Sequence, residues 1–458
     1  MSSGLLDLHA LDRDVARANG ARIRFRAALV RDPEAGGDED PLASFRNVAG
    51  QKAHEALTAF RATGLDVPLR EALLLWVYAL TQARIGRELE VEWAREAAGV
   101  KAHVLLDAPR DTSYREAWRE AVFAKNAGTR RSWIDAAASR GPKLASIARE
   151  AAGNRVEVAR RFGFAHPAAP ASPSSHAALY DAAWTLLRTA TDLLAALRRE
   201  SRTRLPEAAA AGPLPLWIQD GLATDASEGW PAHLSPRWLE DSFREVSRGA
   251  RLSFTLPRVA GAATFSRALR IFGRALRRDG RSALPFSIAT DPFHVDEHRF
   301  GAVFGSLPMT RVFHRKVLGL SERLAHHQAR ALARTTLYES VWIAARFLLT
   351  YETGYAKADL WDEITHVVFG APIDPLFMGA WPSPDGEETS VLEALLTAPA
   401  LTTLLVGRFD DDWFLNPHAA EWIHARASGP AREPPDGEPM DPSVAAASLA
   451  RSFEEALG

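Results

Sequence analysis

The run from Ser321 to Tyr351 limits this chain most, because it keeps one apolar stripe at helical spacing over its whole length. Leu324, Ala331, Leu332, Leu337, Val341, Trp342, Ala345 and Leu349 lie on that stripe. A helix this long and this apolar has to be covered by other elements. Glu339 sits inside the mostly apolar part of it, where a carboxylate needs a cation. Arg346 on the same helix is the default partner, and a row of arginines on an earlier helix is the other source.

The same period recurs along most of the sequence. In Pro68 to Ala98 it is carried by Leu69, Ala72, Leu73, Trp76, Leu80 and Ala83, with Pro68 suited to a first turn. Ser132 to Phe164 reads as two helices joined near Gly153 and Asn154, and Ala177 to Leu205 as one long helix. Further helices are expected over Asp359 to Gly370, Thr389 to Ala398, Leu401 to Phe409 and Pro417 to Ala427, with a last one behind Asp441 and Pro442. Only Arg251 to Leu256 alternates polar and apolar residues, which predicts a single strand. Periodicity stops at the Pro/Ala/Ser-rich run His166 to His176 and again after Gly429. The expected organisation is an N-terminal helical lobe over 1–165, a linker over 166–176, a second helical domain over 177–429 and a linker with a short helix over 430–458. The fold class is all-α, with minimal β structure.

Composition removes several functions. Lys and Arg total 55 against 57 for Asp and Glu, so bulk charge argues against nucleic acid or membrane as a partner. Lys143, Arg155, Arg160 and Arg161 are interleaved with Glu150 and Glu157 and read as solvated faces. The chain has no cysteine, which excludes disulfides, thiolate nucleophiles and cysteine-based zinc sites. Its first residues do not form a signal peptide, and the apolar run Ala72 to Leu80 is about half of what a bilayer span needs. A cytoplasmic location is therefore expected. No phosphate-binding glycine loop and no nucleophile elbow occurs in its required context.

Candidate chemistry centres on Thr264 to Arg281. Phe265, Leu269, Phe272 and Leu276 make the apolar stripe of a helix starting near Ala262, and Arg267, Arg270, Arg274, Arg277 or Arg278, and Arg281 recur on another face. That face is either a solvated surface or a ladder for carboxylate or phosphate groups. The core of the helix, Leu269-Arg270-Ile271-Phe272-Gly273-Arg274-Ala275-Leu276, resembles LHEFGHAL, the zinc helix of the thimet oligopeptidase and oligoendopeptidase family of metallopeptidases, to which carboxypeptidase Taq is similar in outline. Leu269, Phe272, Gly273, Ala275 and Leu276 match, whereas Arg270 and Arg274 stand at the histidine positions and Ile271 at the glutamate position. Guanidinium has no acceptor lone pair and cannot ligate zinc, and isoleucine cannot act as a general base.

The resemblance implies a two-lobed helical architecture around a central channel, with Glu297 as the remnant of the third zinc ligand. It also implies a pseudopeptidase without catalytic residues or a resident cofactor, binding a peptide or protein partner in the channel. Arg270 and Arg274 would then meet acidic groups or pair with Glu297. An alternative is an active hydrolase: with Asp291 as cap and Pro292 in the first turn of a helix running to Leu307, His294, Glu297 and His298 spell the inverted motif HxxEH and would hold zinc. A further alternative is a helical adaptor with no channel.

Overall fold

The computed structural model describes residues 6–34, 39–64, 66–103, 110–114, 116–117, 120, 127–171, 174–204, 234–256, 262–280, 282–351, 358–370, 387–432 and 441–457. Trp217 and Trp230, the Gly354–Tyr355 pair and Arg281 lie outside them.

Four helices open the chain: α1 (Leu8–Arg31), α2 (Gln51–Ala59), α3 (Asp66–Ile85) and α4 (Arg87–Ala98). A two-stranded antiparallel hairpin follows, β1 (Val100–Ala102) with β2 (Arg110–Thr112), in the register Lys101 opposite Asp111. Next come α5 (Ala127–Ala138), α6 (Gly141–Arg161), α7 (His176–Thr189), α8 (Thr191–Arg204), α9 (Pro236–Ser242) and α10 (Arg244–Ser247). The second half holds α11 (Ala262–Arg278), α12 (Phe286–Ala289), α13 (Val295–Ser306), α14 (Arg311–Lys316), α15 (Glu322–Tyr351), α16 (Ala358–Phe369), α17 (Glu388–Phe409), α18 (Pro417–Ser428) and α19 (Pro442–Leu457). The fold is all-α, as the periodicity requires.

Three apolar cores organise these helices. One gathers α1, α2, α3 and the end of α6 around Leu73, Trp76 and Tyr78. The second surrounds the C-terminal half of α15 with α7, α16, α17 and α19, and it also takes in Trp133, Ile134 and Leu144 from the first third of the chain. The last helix docks on its own chain here through Leu449, Phe453 and Leu457. The third core joins α9 to α11, α13, α14 and α18 around an aromatic group, in which the Phe272 ring lies 5.3 Å from Phe243 and 5.4 Å from Phe304.

Several expectations needed correction. Residues 251–256 form no strand: Leu252, Phe254 and Leu256 pack on the third core, while Ser253 N–H donates to Asp279 Oδ2 at 2.8 Å and Arg278 donates to the Ser253 carbonyl. At Ser253, side chains rather than a neighbouring strand satisfy the backbone. Gly153 and Asn154 lie within α6, and the break falls at 139–140. The long helix expected after 176 is two, α7 and α8. Conversely, α17 runs unbroken through Pro399, with Leu392 and Leu396 in the second core and Leu401 and Leu405 in the third. An interior proline costs about 3 kcal/mol, which burial in two cores outweighs. Read as one element, α17 is long and apolar enough to cross a membrane by length and composition. In this fold it buries Glu388 and Glu393 and ties two cores together.

Among the described residues, the most extensive contact between helices is α11 against α13. A Cβ on Gly273 would lie 2.5 Å from the Phe300 carbonyl oxygen, and one on Gly301 would lie 2.9 Å from Arg274 Cγ. Gly305 meets the stem of Arg270 in the same way. Gly273→Ala should therefore lower stability by about 1–3 kcal/mol. Gly153→Ala, at an exposed helical position with nothing within 4 Å, should raise it by about 0.5–1 kcal/mol. Urea unfolding midpoints of the two variants should move in opposite directions; equal shifts would contradict the packing described.

Candidate functional site

The four buried residues Phe265, Leu269, Phe272 and Leu276 turn α11 so that its arginines leave from the other side. Arg267 and Arg270 converge on Glu339 of α15: Arg267 Nε donates to Oε1 at 3.2 Å, and Arg270 Nη2 lies 2.6 Å from Oε2. Arg346 pairs instead with Glu388 at 2.6 Å. Glu339 therefore takes the distant partners over the nearby one. Burial alone would push its carboxyl up, but the charges and hydrogen bonds of Arg270 and Arg267 outweigh that and hold it below the usual carboxylate range.

Arg274, one turn on, makes no ion pair or hydrogen bond among the described residues and is half-buried. Its stem crosses Gly301, and its charge reaches His298 on α13. Burial, then Arg274, then His294 push the His298 imidazole well below its usual range, so it stays neutral. His298 Nε2 is buried with no hydrogen-bond partner among the described residues.

Glu297 points elsewhere. Its Oε1 lies 2.6 Å from His294 Nδ1, and it lines a cavity of about 50 Å3 with Arg277, Arg278 and Asp291. No ion pair or hydrogen bond joins it to Arg270 or Arg274 among the described residues.

Asp291 does not stand at the N-cap of the helix expected to run to Leu307, which has His294 there instead. It accepts from Phe293 N–H at Oδ1 and from Val295 N–H at Oδ2, both at 3.0 Å, and α13 starts only at Val295. His294 precedes the helix in the left-handed conformation, φ 59°. The HxxEH spacing therefore does not place His294 and His298 on one helix face. One binds Glu297 and the other faces Arg274, and among the described residues no three His, Asp or Glu side chains are grouped to hold a metal ion. The active-hydrolase alternative built on His294, Glu297 and His298 loses its geometric basis.

Long-range contacts that sequence reading did not anticipate hold this region in place. Asp12 of α1 accepts from Phe286 N–H and Ser287 N–H, capping α12, and Trp76 donates to the Thr290 carbonyl at 3.1 Å. Buried Asp296 meets Arg299 at 2.7 Å and Arg277 at 3.7 Å, and it accepts from Arg432 N–H at 2.7 Å. Arg432 also pairs with Asp291 at 2.9 Å.

No protein-family model matches the sequence, and no curated protein matches it. Solved structures do match the fold. PZ peptidase A, solved with an inhibitor, superposes with a TM-score of 0.56 at 10% identity, over 88% of this chain and 84% of that one. Oligoendopeptidase-F from Enterococcus faecium gives 0.54 at 10% identity, over 97% of this chain and 90% of that one. A Chlamydophila abortus chain described as a candidate peptidase gives 0.54 at 11% identity, over 89% and 81%. The chain thus has an all-α, oligoendopeptidase-like fold. Arg270 and Arg274 offer only donors and repel a cation, so neither can ligate a metal ion.

Two pH effects follow. Glu339 has a depressed folded pKa, so its contribution is present above the unfolded value and is lost as pH falls through the folded one. Glu339→Gln should cost about 1–3 kcal/mol at neutral pH and flatten the acid limb of the stability profile. His298 acts at higher pH: below about 6.5 the unfolded imidazole takes up a proton that the folded one refuses, so stability falls as pH drops from about 7 to 5. His298→Leu should reduce that slope. Unfolding midpoints measured across this pH range check both, and unchanged slopes would contradict the assignments.

Proposed function

We propose that this chain is a catalytically silent relative of the oligoendopeptidase-type zinc metallopeptidases, binding a peptide or protein partner through an acidic group. One observation carries the reading: of the two arginines that the sequence resemblance sets at histidine positions, Arg270 is tied to buried Glu339 while Arg274 keeps a guanidinium with no ion pair among the described residues. The peptidase-like fold supports it, as does Gly273, whose match to the zinc-helix pattern coincides with a contact that admits no side chain. Ile271 supplies no general base, and a guanidinium recognises carboxylates through its paired N–H donors. Among the described residues Arg274 has no ion pair, and His298 beside it stays neutral, which favours an acid brought by the partner.

Metal analysis of protein purified without chelator should find no stoichiometric zinc, and protease assays on unstructured peptides should show no turnover. Acidic peptides should bind wild type about tenfold more tightly than Arg274→Gln, a difference of ~1.4 kcal/mol, with neutral peptides unaffected. About one zinc per chain with peptide hydrolysis would overturn the proposal, and so would acidic-peptide binding indifferent to Arg274.

A further inference from the structure

Helix α1 has two apolar faces, and the fold buries one of them, with Val15, Ala18, Phe25 and Leu29. On another side Ala16, Gly20, Ile23, Ala27 and Val30 alternate spacings of four and three, the a and d positions of a coiled-coil seam. Ile23 is 58% and Val30 78% exposed, and Ala27 between them is exposed too. Helical seams of this kind are stable when a second helix covers them.

Along one flank of the seam, position e of the repeat is arginine each time: Arg17, Arg24 and Arg31, all exposed. Arg17 pairs with Asp14. Arg24 and Arg31 make no ion pair or hydrogen bond among the described residues, and neither does Arg13 at the N-terminal end of the seam. A Cβ on Gly20 would lie 3.5 Å from Arg24 Nη1, so that guanidinium lies back beside the seam. The acids of this region are engaged elsewhere. Asp12 caps α12, Asp14 also accepts from Asn47, Glu90 is held by Arg26, Asp32 accepts from Glu34 N–H, and Glu34 lies 3.5 Å from Arg95.

This charge pattern selects the occupant. A second copy of the chain does not fit: antiparallel pairing sets position e against e, arginine against arginine. Parallel pairing sets e against g, where Asn19 and Arg26 stand beside a buried Asp12. A bilayer surface fits no better, because the stripe has no Trp, Phe or Leu and its middle is glycine and alanine. Small residues there instead let another helix approach closely.

We propose that this face of α1 docks one amphipathic helix of an acidic partner protein, its apolar ridge along Ile23, Ala27 and Val30 and its carboxylates along Arg24 and Arg31. The seam runs for about two heptads, enough to seat a single helix, and the arginine flank sets which helix is accepted. Arg270 and Arg274 take no part, so the surface stands whether or not the peptidase reading does.

Fluorescence anisotropy with a labelled three-heptad peptide, leucine at a and d and glutamate at e and g, tests this. The titration uses the full-length Arg274→Gln chain, in which that arginine no longer contributes. The peptide should bind saturably at one per chain, and the same peptide with lysine at e and g should bind about tenfold or more weakly. Arg24→Glu with Arg31→Glu should reverse that preference, and Val30→Ser should weaken the acidic peptide severalfold. All three positions are exposed, so an unchanged circular dichroism spectrum is expected for each variant. No saturable binding of the acidic peptide would overturn the proposal, and so would equal binding of the two peptides or a preference that survives the charge reversal. Binding to phosphatidylserine vesicles in place of the peptide would overturn it in favour of a membrane. A dimer that Val30→Ser abolishes, again without peptide binding, would overturn it in favour of self-pairing.

Discussion

The approach of α11 to α13 over Gly273 is the contact on which the rest of this region depends. Helix axes come this close only where one backbone meets another with no side chain between them, and Gly273 against the Phe300 carbonyl meets that condition. The glycines of α13 return the favour, since Gly301 and Gly305 leave room for the stems of Arg274 and Arg270 to lie across the partner helix. Two long cationic side chains are thereby laid in fixed directions. Arg270 reaches α15 and neutralises Glu339, while Arg274 remains beside a histidine that stays neutral. A glycine thus decides where the charges go, although it carries none.

A second constraint fixes α13 along its axis. The turn before it is held from one side by Asp12 and Trp76 of the N-terminal helices and from the other by Arg432, beyond α18. Arg277 adds to this by donating to the Ala427 and Gly429 carbonyls, so the end of α11 and the end of α18 are also joined. Ion pairs this deeply buried contribute little net stability after desolvation, but breaking one partner leaves a charge stranded. Their effect is to specify one register, and that register sets His294 at the boundary between two cavities.

Much of the fold was legible because its signal is local. The stripe of α11, the start near Ala262 and the length of α15 all follow from apolar period alone, and an interior glycine that costs helix stability correctly marked a close contact. What failed depends on partners distant in the chain. Glu339 could be read against Arg346 or against the α11 arginines, and only the folded packing places Arg270 within 2.6 Å. Pro399 reads as a break until two cores are available to hold α17 on both sides of it. The alternation at 251–256 was real, but one-sided burial produces it in irregular chain as readily as in a strand. HxxEH was likewise a spacing without its geometry, because a left-handed residue at His294 separates it from the helix.

The proposed loss of a metal site raises the question of what joins the helices that zinc would otherwise bridge. A catalytic zinc draws ligands from separate helices and so cross-links them. Without it, the same stretch of α11 needs another tie, and an arginine at a histidine position provides one only if it finds an acid. Glu339 is that acid, and it belongs to α15 rather than to α13. The connection therefore runs from α11 to the longest helix of the fold, while α11 and α13 are held by glycine packing that needs no ion. On this reading the second arginine is released from structural duty. Arg274 is then the cation whose position on the helix is kept by packing and whose charge is left for a partner to meet.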